Sequence, residues 1–86
     1  MQRRNLYERM IENPNDVDYE DLAALLLWLG FSLKDGTHPL FTHREAGIRI
    51  RLAKPHGKSG RKTIKSFYVK EFIAQLEQHP EIWERK

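Results

Sequence analysis

The chain has 86 residues, 40% of them apolar and 31% charged, with a net charge of +3 and no cysteine. That describes one small domain with a modest core, and it excludes a disulfide framework and a thiolate zinc site. No run of about 18 apolar residues is present, which excludes a membrane-spanning helix. The opening MQRRNLYERM has arginines but no apolar segment behind them, so no secretory signal is expected and a cytoplasmic location is the default.

Residues 3–12 read as a short helix, with Leu6 and Met10 on one face and Tyr7 and Ile11 on another. Asn13-Pro14-Asn15 ends it, so residues 1–18 form an N-terminal extension to a main domain over 19–79. Asp18 is suited to cap a second helix, Tyr19 to Leu29, with Glu20 and Asp21 in its first turn. Leu22, Leu25, Leu26 and Leu29 repeat at helical spacing, and Gly30 is the expected stop. Leu27 and Trp28 widen the apolar surface, Trp28 packing on a sheet edge or on the first helix.

Phe31–Lys34 alternates as a strand, and Asp35-Gly36 signals a hairpin turn. A second strand runs over Leu40–His43, with Pro39 at its start or at a bulge, because proline cannot donate to a ladder. Residues 44–47 turn the chain into a third strand, Ile48–Ala53, whose isoleucines face inward and whose Arg49 and Arg51 face out. Lys54 to Lys65 reads as a loop. A final helix runs over Phe67–Gln78, with Val69, Phe72, Ile73 and Leu76 as its buried stripe. His79-Pro80 breaks it, and residues 80–86 form a turn or short helix with Trp83 packing back. The expected class is α+β: a three-stranded antiparallel sheet with helices packed on one face, in the order α-β-β-β-α after a short N-terminal helix.

The charge is unevenly spread. From Ile48 to Lys70 there are eight Lys or Arg and no Asp or Glu. A one-sided basic field attracts polyanions, nucleic acid first among them, whereas a merely solubilising surface would be served as well by mixed charge.

The order of elements and a Gly-Thr-His at the first hairpin resemble the HicA family of bacterial and archaeal toxins. Tyr19 to Phe31 is similar to that family's opening helix and its Gly-Phe exit, and Gly36-Thr37-His38 to its Gly-Ser-His. Phe41-Thr42-His43, Pro55-His56-Gly57 and residues 64–70 resemble the pieces that follow, so the likeness spans about Tyr19 to Glu77. The chain departs from the pattern at Pro39, where the family often has a second histidine, tyrosine or basic residue. It departs also in a longer loop over 58–63 and in residues 1–18. The resemblance implies a double-stranded-RNA-binding-like fold and an mRNA interferase, the toxin of a toxin–antitoxin pair. It further implies His38 as the catalytic residue, mRNA as substrate and a HicB-like antitoxin as partner.

The residues allow that chemistry. Metal-independent RNA cleavage needs a base, an acid and cations for the charged transition state. Histidine titrates in the right range. His38 is the candidate base or acid, on a turn built by Gly36, Thr37 and Pro39; its plainer role is a turn residue capping a carbonyl. His43, five positions on, faces the other side of a regular strand and reads as structural. Lys54, His56, Lys58, Arg61, Lys62 and Lys65 are the candidate RNA contacts, and His79 reads as a helix-end residue. No cofactor is called for, and the histidine spacing resembles no compact metal site. Two readings stand: an endoribonuclease toxin, and a non-catalytic RNA-binding module of the same fold. A protein-interaction domain using Trp28 and Trp83 is a weaker third.

Overall fold

The computed structural model describes residues 3–36, 38–53 and 63–84. Four helices and three strands follow in the order α1 (Arg3–Glu12), α2 (Tyr19–Trp28), β1 (Ser32–Lys34), β2 (Leu40–His43), β3 (Ile48–Arg51), α3 (Ser66–Glu77) and α4 (Glu81–Glu84). None of the described helices is long and apolar enough to cross a membrane.

Helix α2 starts where its cap was expected. The Asp18 carboxylate accepts the Glu20 backbone N–H at 3.1 Å, satisfying one of the donors a helix start leaves unpaired. It stops one residue earlier than expected, with Leu29 as the C-cap. The Gly30 N–H then donates to the Leu27 carbonyl and the Phe31 N–H to the Leu26 carbonyl, the paired bonds of a Schellman turn. Gly30 adopts φ +102°, which a residue with a Cβ rarely takes. Phe31 belongs to this cap and is buried, so β1 is shorter than its sequence pattern suggested.

The sheet is antiparallel with β2 central and the order β1-β2-β3. Register sorts the side chains. Leu33, Phe41 and Ile50 lie across from one another on one face, and His43 and Ile48 pair on that same face. Phe41, His43, Ile48 and Ile50 are buried there, while Leu33 on the edge strand is 38% exposed. The other face carries the rows Ser32–Thr42–Arg49 and Lys34–Leu40–Arg51, and Arg49 and Arg51 are exposed, as expected. β3 ends at Arg51 rather than Ala53, but the Leu52 N–H still donates to the Pro39 carbonyl at 3.0 Å.

The connection from β1 to β2 is wider than a two-residue hairpin: Lys34 pairs with Leu40, leaving residues 35–39 between them. The Asp35 carboxylate accepts the Gly36 N–H at 2.9 Å, and Gly36 takes φ +154°, so the turn opens where Asp-Gly placed it. Pro39 is buried just outside β2, where it owes the ladder no N–H.

The core joins all the layers. Leu22, Leu25 and Leu26 of α2, Phe41 of β2, Leu52, and Val69 and Phe72 of α3 are fully buried. The α1 helix contributes Leu6, Tyr7 and Met10 to the same cluster. Tyr7 meets Phe72 edge-on at 6.1 Å and Trp83 of α4 at 5.1 Å; Trp83 in turn meets Trp28 at 6.2 Å, with the Arg4 guanidinium 4.9 Å above its ring. Each such aromatic pair contributes about 0.5–1.5 kcal/mol beyond burial. The segment before α3 is more than a loop: Ile64 is buried, its N–H donates to the Val17 carbonyl at 2.8 Å, and Thr63 bridges Asp18. Helix α3 spans Ser66–Glu77, shifted one residue toward the N-terminus from its expected bounds.

Candidate nucleic-acid interface

Topology decides which residues share an end of the domain. The end of β2 lies at the C-terminal end of α2, since a Cβ on Gly30 would meet His43 Nε2 at 3.5 Å. The start of α3 is tied to the start of α2 by the Ile64–Val17 bond. The start of β2 lies at the other end of the sheet, where Pro39 and the exit from β3 are joined by the Leu52–Pro39 bond.

His38 is exposed at this end. Its carbonyl lies 3.4 Å from Nη1 of Arg51, a long contact that brings the guanidinium to the turn. Arg51 shares its row with Lys34, and both are exposed. Lys65, exposed, is the N-cap of α3 and makes no side-chain capping bond. Acids gather at the start of α2 on the α1 side, where Glu12, Asp16, Asp18 and Asp21 line a concavity of about 220 Å³ with Arg9.

The other described histidines stand at the opposite end. His43 is 7% exposed and meets Phe31 edge-on at 5.1 Å. Its Nδ1 accepts the Ala46 N–H at 3.2 Å, closing the turn that follows β2. It is a turn-closing core residue. His79 pairs through Nδ1 with the Glu81 carboxylate at 2.9 Å, across the break between α3 and α4, rather than serving only the helix dipole. Glu81 sits below the usual carboxylate range, first because its own backbone N–H binds the carboxylate and second because of His79.

Of the residues singled out in the sequence, the fold brings Gly36, His38 and Pro39 together in the connection into β2 and places Lys65 at the start of α3. Thr37, Lys54, His56, Lys58, Arg61 and Lys62 lie outside the described residues. Sequence reasoning counted Arg49 and Arg51 only as part of the basic stretch and gave Lys34 no binding role, yet register sets all three on one open face. The alternation of β3 signalled the arginines; Lys34 needed the pairing of β1 with β2 as well. Among the described residues, no three His, Asp or Glu side chains gather as metal ligands.

No family model matches the chain, and neither the curated proteins nor the solved structures include one that matches it.

Proposed function

We propose that the protein is a metal-independent endoribonuclease that cleaves mRNA, the toxin of a toxin–antitoxin pair like the HicA family its sequence resembles. On this reading the three-stranded sheet and its helices form a double-stranded-RNA-binding-like domain, and a HicB-like antitoxin silences it by covering the basic end. The observation that carries the proposal is the sorting of histidines. His43 and His79 are engaged at one end of the domain, while His38 stands exposed at the other beside Arg51.

In the proposed reaction a base takes the proton of a ribose 2′-hydroxyl. The 2′-oxygen attacks the adjacent phosphorus, the bond from phosphorus to the 5′-oxygen breaks, and an acid protonates that oxygen. His38 fills one of the two roles and His56 is the candidate for the other. Arg51 and the basic residues before α3 offset the charge that builds on phosphate.

Expression of the wild type beside His38→Ala, scoring growth and RNA integrity, tests this. The wild type should stop growth and cleave RNA in the presence of chelator, leaving 2′,3′-cyclic phosphate ends, and His38→Ala should do neither. Full activity of the variant would assign the chemistry elsewhere. The second reading, RNA binding without cleavage, is favoured by one observation: among the described residues His38 is engaged through its carbonyl, by Arg51, and not through its ring. Tight RNA binding with no cleavage by the wild type would establish it.

A further inference from the structure

Phe67 is 69% exposed, the most exposed of the large apolar side chains among the described residues. It lies in the first turn of α3, whose inward stripe is Val69, Phe72 and Leu76, so its position serves no core. Tyr68, packed against the core, meets its ring edge-on at 5.1 Å. The rest of the ring is open apolar surface that a flat apolar partner can cover.

The surroundings say what kind of occupant fits. Phe67 lies inside the stretch from Ile48 to Lys70 that holds eight Lys or Arg and no acid. Lys65 stands two residues before it, and Lys70 one helical turn beyond; both are exposed. The first turn of α3 has no acidic residue. Glu71, one turn further along the same side, keeps its charge while accepting from the Gln75 amide at 3.4 Å, so the cations nearest the ring lie on its N-terminal side and at Lys70. An apolar protein surface would be a poor match for a ring flanked by cations. A chain that alternates flat apolar faces with negative charges matches it well, and single-stranded RNA is such a chain.

We propose that Phe67 is a stacking platform for an unpaired base, with Lys65 and Lys70 on the neighbouring phosphates, so that the interface selects single-stranded over duplex RNA. A paired base is already stacked on both faces and offers the ring nothing. This rests on the RNA-binding reading above and specifies its substrate.

The test is binding of fluorescently labelled RNA to the full chain. One probe is an unstructured oligoadenosine strand; the other is the same strand paired with oligouridine. Phe67→Ala, Phe67→Leu and Phe67→Trp are compared with the wild type. Removing a stacking aromatic weakens binding by roughly fivefold to a hundredfold. Phe67→Ala and Phe67→Leu should lose that much for the single strand and little for the duplex, whereas Phe67→Trp should retain single-strand affinity. The leucine variant separates stacking from apolar contact, and the exposed position makes all three foldable. Equal losses on both probes, no loss on either, or full retention by Phe67→Leu would overturn the stacking role while leaving an RNA-binding protein. Failure of the wild type to bind either probe would overturn both this inference and the function on which it rests.

Discussion

Replacing the two strand-end histidines singly by alanine should separate folding from chemistry. At His43 the cost can be built from its contacts. Truncation leaves the Ala46 N–H, now 3.2 Å from Nδ1, without its acceptor in a partly buried turn, at about 1–3 kcal/mol. It also removes the edge-on pairing with Phe31, worth about 0.5–1.5 kcal/mol. The sum, about 1.5–4.5 kcal/mol, is a large share of what a domain of this size has, since stability runs at roughly 0.05–0.15 kcal/mol per residue. In small domains each kcal/mol moves the melting temperature by about 4–8 °C, so His43→Ala should melt at least about 6 °C low. His43→Asn, whose amide oxygen can reach the position of Nδ1, should recover the hydrogen-bond part but not the ring part. Among the described residues His38 engages only through its carbonyl, to Arg51, and alanine keeps that carbonyl. His38→Ala should therefore melt within about 0.5 kcal/mol of the wild type and lose RNA cleavage by about a hundredfold to ten-thousandfold. Circular dichroism melts and a cleavage assay on the same preparations read both. A His43→Ala protein as stable as the wild type would refute its turn-closing role. A His38→Ala protein that melts low would make His38 a structural residue.

Substituting Arg49 and Arg51 together by glutamine should leave the melt unchanged, because both are exposed, and should reduce the logarithmic salt slope of RNA binding by about two, one per lost phosphate contact; an unchanged slope would remove the outer sheet face from the interface. Tyr7 is held above its ordinary pKa of 10.0, chiefly by burial and then by Glu77, against Arg4. The fold thus favours its neutral form, and this stability is complete below the unfolded pKa and lost as pH rises through the folded one. Tyr7→Phe should match the wild type at neutral pH and resist alkaline unfolding better; coincident alkaline melts would contradict this. Glu81 is shifted the other way, so its contribution is present above the ordinary carboxylate range and lost as pH falls through the lowered value. The melting difference between Glu81→Gln and the wild type should shrink with acidification; a difference that persists in strong acid would assign the effect to packing.

The elements legible in the sequence were those whose signal is local. The leucine spacing of α2, the Asp18 cap, the Gly30 stop and the Ile-Arg alternation of β3 each come from a few adjacent residues answering one physical demand. Features that depend on distant partners were harder to read. The width of the 35–39 connection is set by the pairing of Lys34 with Leu40, which Asp-Gly alone does not determine. Phe31 looked like a strand residue because it is apolar and precedes an alternating run, but its N–H closes the α2 cap. Ile64 sat in a basic, glycine-containing stretch that hid its role as a core residue. At the candidate site, the inward direction of His43 followed from strand parity with Phe41, and the structure agrees. The pairing of His79 with Glu81 turned on the geometry of the helix break, which spacing does not give.

The two ends of the sheet have different physical demands, and that difference bears on how such a protein would be silenced. At the His43 end a buried imidazole, the Schellman turn of α2 and Ile82 of α4 come together. The His38 end is assembled from separate segments, the connection into β2 and the exit of β3, joined among the described residues by the Leu52–Pro39 backbone bond. Under the proposed function, a partner that covers His38 must also cross Arg51, which touches the same turn. To extend over the α3 start it must accommodate Phe67 as well as neutralise lysines. An acidic surface alone would meet the charge and leave the ring in water. The silencing surface should therefore carry an apolar contact set among acids, and it would occupy the ground RNA needs. Inhibition then follows from competition for one surface, with no rearrangement of the catalytic histidine required.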